Sequence, residues 1–211
     1  MSEESQELGR ISRSRAQDTD LDWQGLDSTV DESANLMLFD KRIDTMRNPR
    51  NQRVLDRIVL ESVDWVNVVA LDAQRRSVMI RQFRFGVGYT TLETPGGMVD
   101  DGEDSATAAA RELLEETGYE AQRWTYLGAV EPNPAIHNHL CHHWLAEDVQ
   151  RVRQQDLGDG EAIRVELMDE RALREAVQSG ELRHALALSV LARVFQLWPL
   201  PFVHSDLSTS S

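Results

Sequence analysis

The stretch ETPGGMVDDGEDSATAAARELLEETGY, Glu93 to Tyr119, opens on two adjacent glycines after a proline. It passes through an acidic turn and closes on three glutamates within five residues. Asp104, an alanine-rich body and Gly118 predict a helix from about Asp104 to Thr117, stopped by the glycine. With Glu112 at zero and about 100° per residue, Glu115 and Glu116 fall on either side of it. Ala106, Ala110, Leu113 and Leu114 gather opposite, a small apolar face suited to packing on a sheet. Like charges four apart on a helix repel by about a few tenths of a kcal/mol. A hard dication such as Mg²⁺ between them reverses the sign, because it takes oxygen ligands and fills its shell with waters and substrate phosphates. Glu112, Glu115 and Glu116 fit that role. The competing reading of the triad alone is a solvated charged face, with Arg111 and Glu115 an ordinary i,i+4 pair. Gly96 and Gly97 allow a sharp turn and close approach to a ligand, and a carbonyl there could add a metal ligand. Arg111 could steer Glu115 or reach back to Glu103.

Working outward, VLDRIVLES, WVNVVALD and SVMIRQFRF read as strands. In the last, Arg81, Phe83 and Phe85 lie on one side and Gln82 and Arg84 on the other. TTLETPGG is a short strand running into the glycine turn. EAQRWTYLGAVEPNP, HNHLCHHWLAEDV and AIRVELM are further strand candidates. DERALREAVQSG and ELRHALALSVLARVFQLW predict two closing helices, ended by Gly180 and before Pro199. The order predicts a mixed α/β (α+β) domain over residues 36–200, with strands pairing around one central helix. Residues 1–35, polar and mostly acidic, read as a disordered or loosely docked arm, and residues 201–211 as a polar tail.

The chain has 211 residues and a formal net charge of −14. The length suits one domain plus tails. The charge argues against a general nucleic-acid or anionic-membrane binder, which needs clustered Lys and Arg. A small anionic substrate remains open, since arginines or metal ions reverse the sign inside a pocket. A single cysteine, Cys141, excludes an internal disulfide framework, and no run approaches a membrane span or a signal peptide. A cytoplasmic location is expected.

Gly97, five residues, Glu103, seven residues, then Arg111-Glu112-Leu113-Leu114-Glu115-Glu116-Thr117-Gly118-Tyr119 resembles the Nudix box without a departure. Its fixed positions would coincide by chance roughly once in 10⁹ windows at ordinary residue frequencies. The preceding segment, Trp65 to Gly97, is similar to that of ADP-ribose pyrophosphatases and related nucleotide-sugar hydrolases. So is Pro134, sixteen residues past Gly118. The resemblance implies a mixed β-sheet sandwiched between helices and hydrolysis of ADP-ribose or a related nucleoside diphosphate sugar. It implies Mg²⁺, or Mn²⁺, held by Glu112, Glu115 and Glu116 with the Gly96 carbonyl. Arg84 resembles the arginine on the substrate phosphates and Glu93 a substrate-side contact. Glu161 resembles the loop carboxylate that activates water or completes a metal shell, with Asp159 its competitor. Catalysis is thereby assigned to Glu115, Glu116 and Glu161, and structural roles to Gly97, Glu103 and Arg111. Trp65, Phe85 and Tyr89 are the aromatic residues available to stack on a base. The subgroup also implies a homodimer. The alternatives are another substrate, such as GDP-mannose or a nucleoside triphosphate, or a non-catalytic ADP-ribose sensor.

HNHLCHHW groups His137, His139, Cys141, His142 and His143. Strand neighbours on one face stand about 6.8 Å apart and cannot share one tetrahedral ion beyond a pair, so solvated or substrate-lining histidines are expected rather than zinc. No dedicated base accompanies Cys141 as a nucleophile. The closing helix, with Leu182, Leu186, Val190, Leu191 and Val194, is expected to be core or dimer surface.

Overall fold

The structure is a computed structural model that describes residues 23–31, 36 and 38–197. Its centre is a six-stranded mixed sheet. β4 (Trp65–Leu71) pairs in parallel with β9 (Cys141–Glu147), and β9 pairs antiparallel with β8 (Arg123–Val130). On the other side β5 (Ser77–Arg84) runs antiparallel to β11 (Ile163–Met168) and to β6 (Tyr89–Glu93). Alternation along β4 gives the sheet its two faces. Val66, Val68 and Ala70 pack with Ala108, Ala109 and Leu113 of α1 (Ser105–Thr117). Val69 and Leu71 pack with Leu173 and Ala176 of α2 (Glu170–Ser179) and with Ala187, Val190 and Leu191 of α3 (Ala185–Leu191). This is the sheet between helices that the resemblance implied.

One local event shapes everything that follows. β4 and β5 pair only where they leave their turn, at Leu71 and Ser77. Beyond that point β5 departs with β6. The vacated edge of β4 is filled by the glycine turn: Val68 N–H donates to the Pro95 carbonyl and Val66 N–H to the Gly97 carbonyl, both at 2.8 Å. A buried strand edge must find partners for its amides, and the turn supplies them. The sheet is thereby split, and a cleft opens between β4 and the β5–β6 hairpin.

α1 begins and ends as expected. Asp104 caps it through bonds from Ala106 and Thr107 N–H, and Gly118 closes it in the left-handed region at φ 76°. Its packing face differs from the expectation. Ala108, Ala109 and Leu113 are buried, whereas Ala110 is exposed and Leu114 half-buried. Glu116 is buried on the packed side as well. The helix therefore turns two of its glutamates toward the cleft edge rather than presenting a carboxylate face to bulk water.

Two further differences lie at the ends. Gln24–Val30, placed in the arm by the sequence, forms β1, which pairs antiparallel with β2 (Asp40–Arg47), itself paired with β3 (Val54–Glu61). β2 reads DKRIDTMR and β1 QGLDSTV, with too few apolar alternations to signal strands; backbone pairing in a three-stranded sheet forms them. Residues 1–22 and 198–211 lie outside the described residues. The long closing helix is only Ala185–Leu191, because His184 turns extended and caps it while Leu182 folds back into the core. Two short strands, β7 (Tyr119–Glu120) and β10 (Gln150–Arg151), pair after α1. Among the described residues no helix is long and apolar enough to cross a membrane.

Leu113 is fully buried between α1 and the sheet. Leu113→Ala is expected to cost about 2–5 kcal/mol, read as a lowered urea midpoint with an unchanged slope.

Candidate active site

The cleft is a cavity of roughly 790 Å³, within the range that takes a ligand of nucleotide size. β4 contributes Trp65 and Asn67, the hairpin Arg84, Tyr89 and Glu93, the glycine turn Gly96 and Gly97, and α1 Glu112 and Glu116. The loop before β11 adds Glu161, and the turn into α3 adds Arg183 and His184.

At the α1 end, Gly96 N–H donates to Glu116 Oε2 at 2.8 Å. Gly96 lies so close to the Val66 carbonyl and Asn67 that a Cβ there would collide with backbone, and a Cβ on Gly97 would collide with the Glu112 carboxylate. The two glycines are what allows helix, turn and strand to meet. Burial pushes the Glu116 carboxyl well above the usual range against its one backbone bond, and Glu112 reinforces this. Glu112 is also raised, by burial above all, although Arg111 pulls the other way. Two neighbouring carboxylates, Glu116 held by no guanidinium among the described residues, are oxygen donors that suit a hard dication.

Arg111 occupies the rest of the acidic cluster. It holds Glu103 through Nε at 3.1 Å and Nη2 at 3.0 Å, Glu112 through Nη1 at 2.8 Å, and the Met98 carbonyl at 2.9 Å. Its Nη1 also donates to Glu115 Oε2 at 3.2 Å. Glu115 is therefore committed to Arg111 and does not line the cavity. Among the described residues no three acidic, imidazole or thiol side chains close around one point as a ready-made cage. Mg²⁺ seldom has such a cage, because it retains waters and borrows substrate phosphate oxygens.

At the hairpin end, Arg84 grips Glu93 in a fork, Nε to Oε1 at 2.7 Å and Nη2 to Oε2 at 2.6 Å. Glu93 is fully buried and also accepts from Thr91 Oγ1. Burial pushes its carboxyl up, but Arg84, His184 and Thr91 more than offset this and hold it below the usual range. Glu93 thus serves to aim the guanidinium. Glu161 lines the cavity and accepts the Gly158 N–H at 3.0 Å, whereas Asp159 does not line it. Of the aromatic candidates, Trp65 and Tyr89 line the cavity and Phe85 stands outside, almost wholly exposed.

The histidines disperse. His137 stacks between Phe39 and His139, and the His139 ring lies 4.3 Å from the Trp65 ring. His142 bridges Tyr126 and Asp64, and burial pulls the His143 imidazole down to about 4. Burial raises the Cys141 thiol to about 12, so it stays neutral. The sequence reading missed Asn67, Arg183 and His184 as wall residues. No local signal marks them, since only the sheet split and the turn into α3 bring them to the cleft.

A profile of the NUDIX domain matches residues 63–188, and the chain belongs to this family. Its sequence is 31% identical over 137 residues to an ADP-ribose pyrophosphatase of Bacillus subtilis, covering 64% of this chain and 74% of that one. It is also 31% identical over 126 residues to an ADP-ribose pyrophosphatase of Mycobacterium tuberculosis, covering 59% and 60%. The fold is similar to a crystal structure titled ADP compounds hydrolase, with a TM-score of 0.70 at 20% identity over 82% of this chain and 93% of that one. Members of the family generally act with a divalent metal, and the oxygen donors of the cleft suit one.

Arg111 holds Glu103 below its ordinary 4.5 through hydrogen bonds. The pair therefore contributes stability that is present above that value and lost as pH falls through the lowered folded value. Glu103→Gln is expected to lower the urea midpoint at pH 7, and the gap from the parent should narrow as pH drops below about 4. Midpoints that stay parallel across that range would refute the assignment.

Proposed function

We propose that this chain is a diphosphatase that uses Mg²⁺, with Mn²⁺ as a substitute, to cleave ADP-ribose or a related nucleoside diphosphate sugar into nucleoside monophosphate and sugar phosphate. The observation that carries the reading is the meeting, in one cleft, of the Glu112 and Glu116 carboxylates with a guanidinium aimed by a buried partner. The names of the pyrophosphatase relatives support the choice of substrate class.

Glu112 and Glu116, with the Gly96 carbonyl, would hold the ion, and Glu115 would join by releasing Arg111. When bound, the ion screens the diphosphate and makes a coordinated water more acidic. Arg84 presents its remaining N–H groups to the phosphate oxygens, and a planar fork suits that contact. Glu93 keeps the fork from swinging. Glu161 is placed to accept the proton of the attacking water. A phosphorus–oxygen bond forms to water, the bond to the bridging oxygen breaks, and that oxygen leaves with the second phosphate. Trp65 offers a ring face to a base or ribose. Positioning and charge balance carry such transfers.

We further place the protein in the cytoplasm as a homodimer. The one cysteine, buried and unpaired, suits a reducing compartment. The exposed Leu26, Val30 and Ile58 on the β1–β3 sheet, with Phe83, Phe85 and Val87 on the hairpin, suit an apolar contact between copies.

Product analysis with Mg²⁺ on ADP-ribose, GDP-mannose, UDP-glucose and NADH tests the activity, with AMP and ribose 5-phosphate expected from ADP-ribose. Glu116→Gln should reduce metal-dependent turnover roughly a hundredfold or more with the circular dichroism spectrum unchanged; full turnover in the variant would remove Glu116 from the site. Light scattering at micromolar concentration is expected to give twice the chain mass, and a monomer mass would exclude the dimer.

A further inference from the structure

The turn between α2 and α3 is built as rigidly as the elements it joins. Gly180 ends α2 in the left-handed region, and Leu182 N–H returns to the Ala176 carbonyl at 2.9 Å. Leu182 is buried in the core beneath the sheet. Glu181 pairs with Arg81. His184 caps α3, its Nδ1 accepting the Ala187 N–H at 3.3 Å, and its Nε2 lies 3.6 Å from Glu93 Oε2. With both its neighbours anchored, Arg183 is left facing the cleft, where it lines the cavity.

Its guanidinium sits over the Tyr89 ring, 5.4 Å from the centroid. Tyr89 is the cross-strand partner of Arg84. The two arginines therefore share the hairpin wall. Their charges differ in availability. Arg84 is largely neutralised by Glu93, which accepts from two of its three nitrogens. Among the described residues no carboxylate forms an ion pair with Arg183. The same cavity carries Glu112, Glu116 and Glu161. In a chain of net charge −14, an uncompensated cation in the wall of an acidic cleft concentrates favourable potential for an anion.

We propose that Arg183, set over the Tyr89 ring, is a second phosphate-binding arginine of the cleft, taking non-bridging oxygens of the substrate diphosphate on the side away from α1. The identity of that anion rests on the diphosphatase reading above. The cleft is then polarised: carboxylates that suit a dication lie at the α1 end, and a guanidinium fork paired with no described carboxylate lies at the hairpin end. An arginine drawn to a ring face by the cation–π attraction has less freedom to lose on binding. Tyr89 is accordingly a positioning residue for Arg183.

The test compares Arg183→Ala, Arg183→Lys and Tyr89→Ala with Arg171→Ala, which removes the same charge from an exposed site on α2. KM and kcat for ADP-ribose are measured with Mg²⁺, and ADP binding in Mg²⁺ is measured by calorimetry. Arg183→Ala should raise KM and the ADP Kd roughly tenfold or more, the loss expected for a charge-assisted hydrogen bond, with kcat within about twofold. Lysine, a point charge without the fork, should fall between. Tyr89→Ala should raise KM alone and add nothing to Arg183→Ala in the double variant, and Arg171→Ala should match the parent. KM and ADP affinity unchanged within about twofold in Arg183→Ala would overturn the inference while leaving the diphosphatase reading standing. A parent that binds ADP in an Arg183-dependent way but releases no AMP from ADP-ribose would retain the anion site and overturn that reading. A parent that does neither would overturn both.

Discussion

The structure depends on the insertion of Pro95–Gly97 against the free edge of β4. Two backbone hydrogen bonds, to Val66 and Val68, satisfy a strand edge that β5 has abandoned. The same insertion brings Gly96 N–H to Glu116 and leaves Gly97 against Glu112. A side chain at either glycine would force helix and strand apart. The catalytic geometry is thus not added to a finished fold. The hydrogen bonds that close the sheet also open the cleft beside it.

Charge is arranged around that cleft with little slack. Arg111 gathers Glu103, Glu112 and Glu115 and pins the glycine turn through the Met98 carbonyl. Arg84 is locked to Glu93. These pairs organise side chains, and their carboxylates are thereby compensated within the protein. Glu116 differs: it is buried, it takes the Gly96 N–H, and among the described residues no guanidinium donates to it. A carboxylate buried in this way beside the Arg111-held Glu112 suits a bound dication, and Arg183 lines the same cavity.

Activity of this kind needs rigid donors, and the walls are held by long-range contacts. Glu93 on β6 is approached by His184 at the start of α3, and α3 packs under β4 through Ala187 and Val190. Asn67 on β4 donates to Thr94 beside the glycine turn and accepts from Cys141 on β9. Each such bond joins segments distant in the chain, so the cleft is as stable as the core that supports it.

Much of this was legible in the chain. The capped helix, the six strands of the central sheet with β3, the two glycines and the spacing of Arg111, Glu112, Glu115 and Glu116 all follow from local rules, because caps, turns and alternation act over a few residues. Family membership rests on that same spacing. The helical wheel misplaced the buried face, since amphipathic reasoning puts charge toward water, whereas Glu116 is buried at a cleft edge. β1 and β2 escaped notice because backbone pairing, not apolar alternation, defines them. The long final helix broke at His184 because Leu182 gained more from the core than from helical continuity. Which glutamates face the cleft, how Glu93 aims Arg84, and why no described carboxylate pairs with Arg183 were decided by tertiary structure alone, because each depends on segments that the split sheet brings together across the fold.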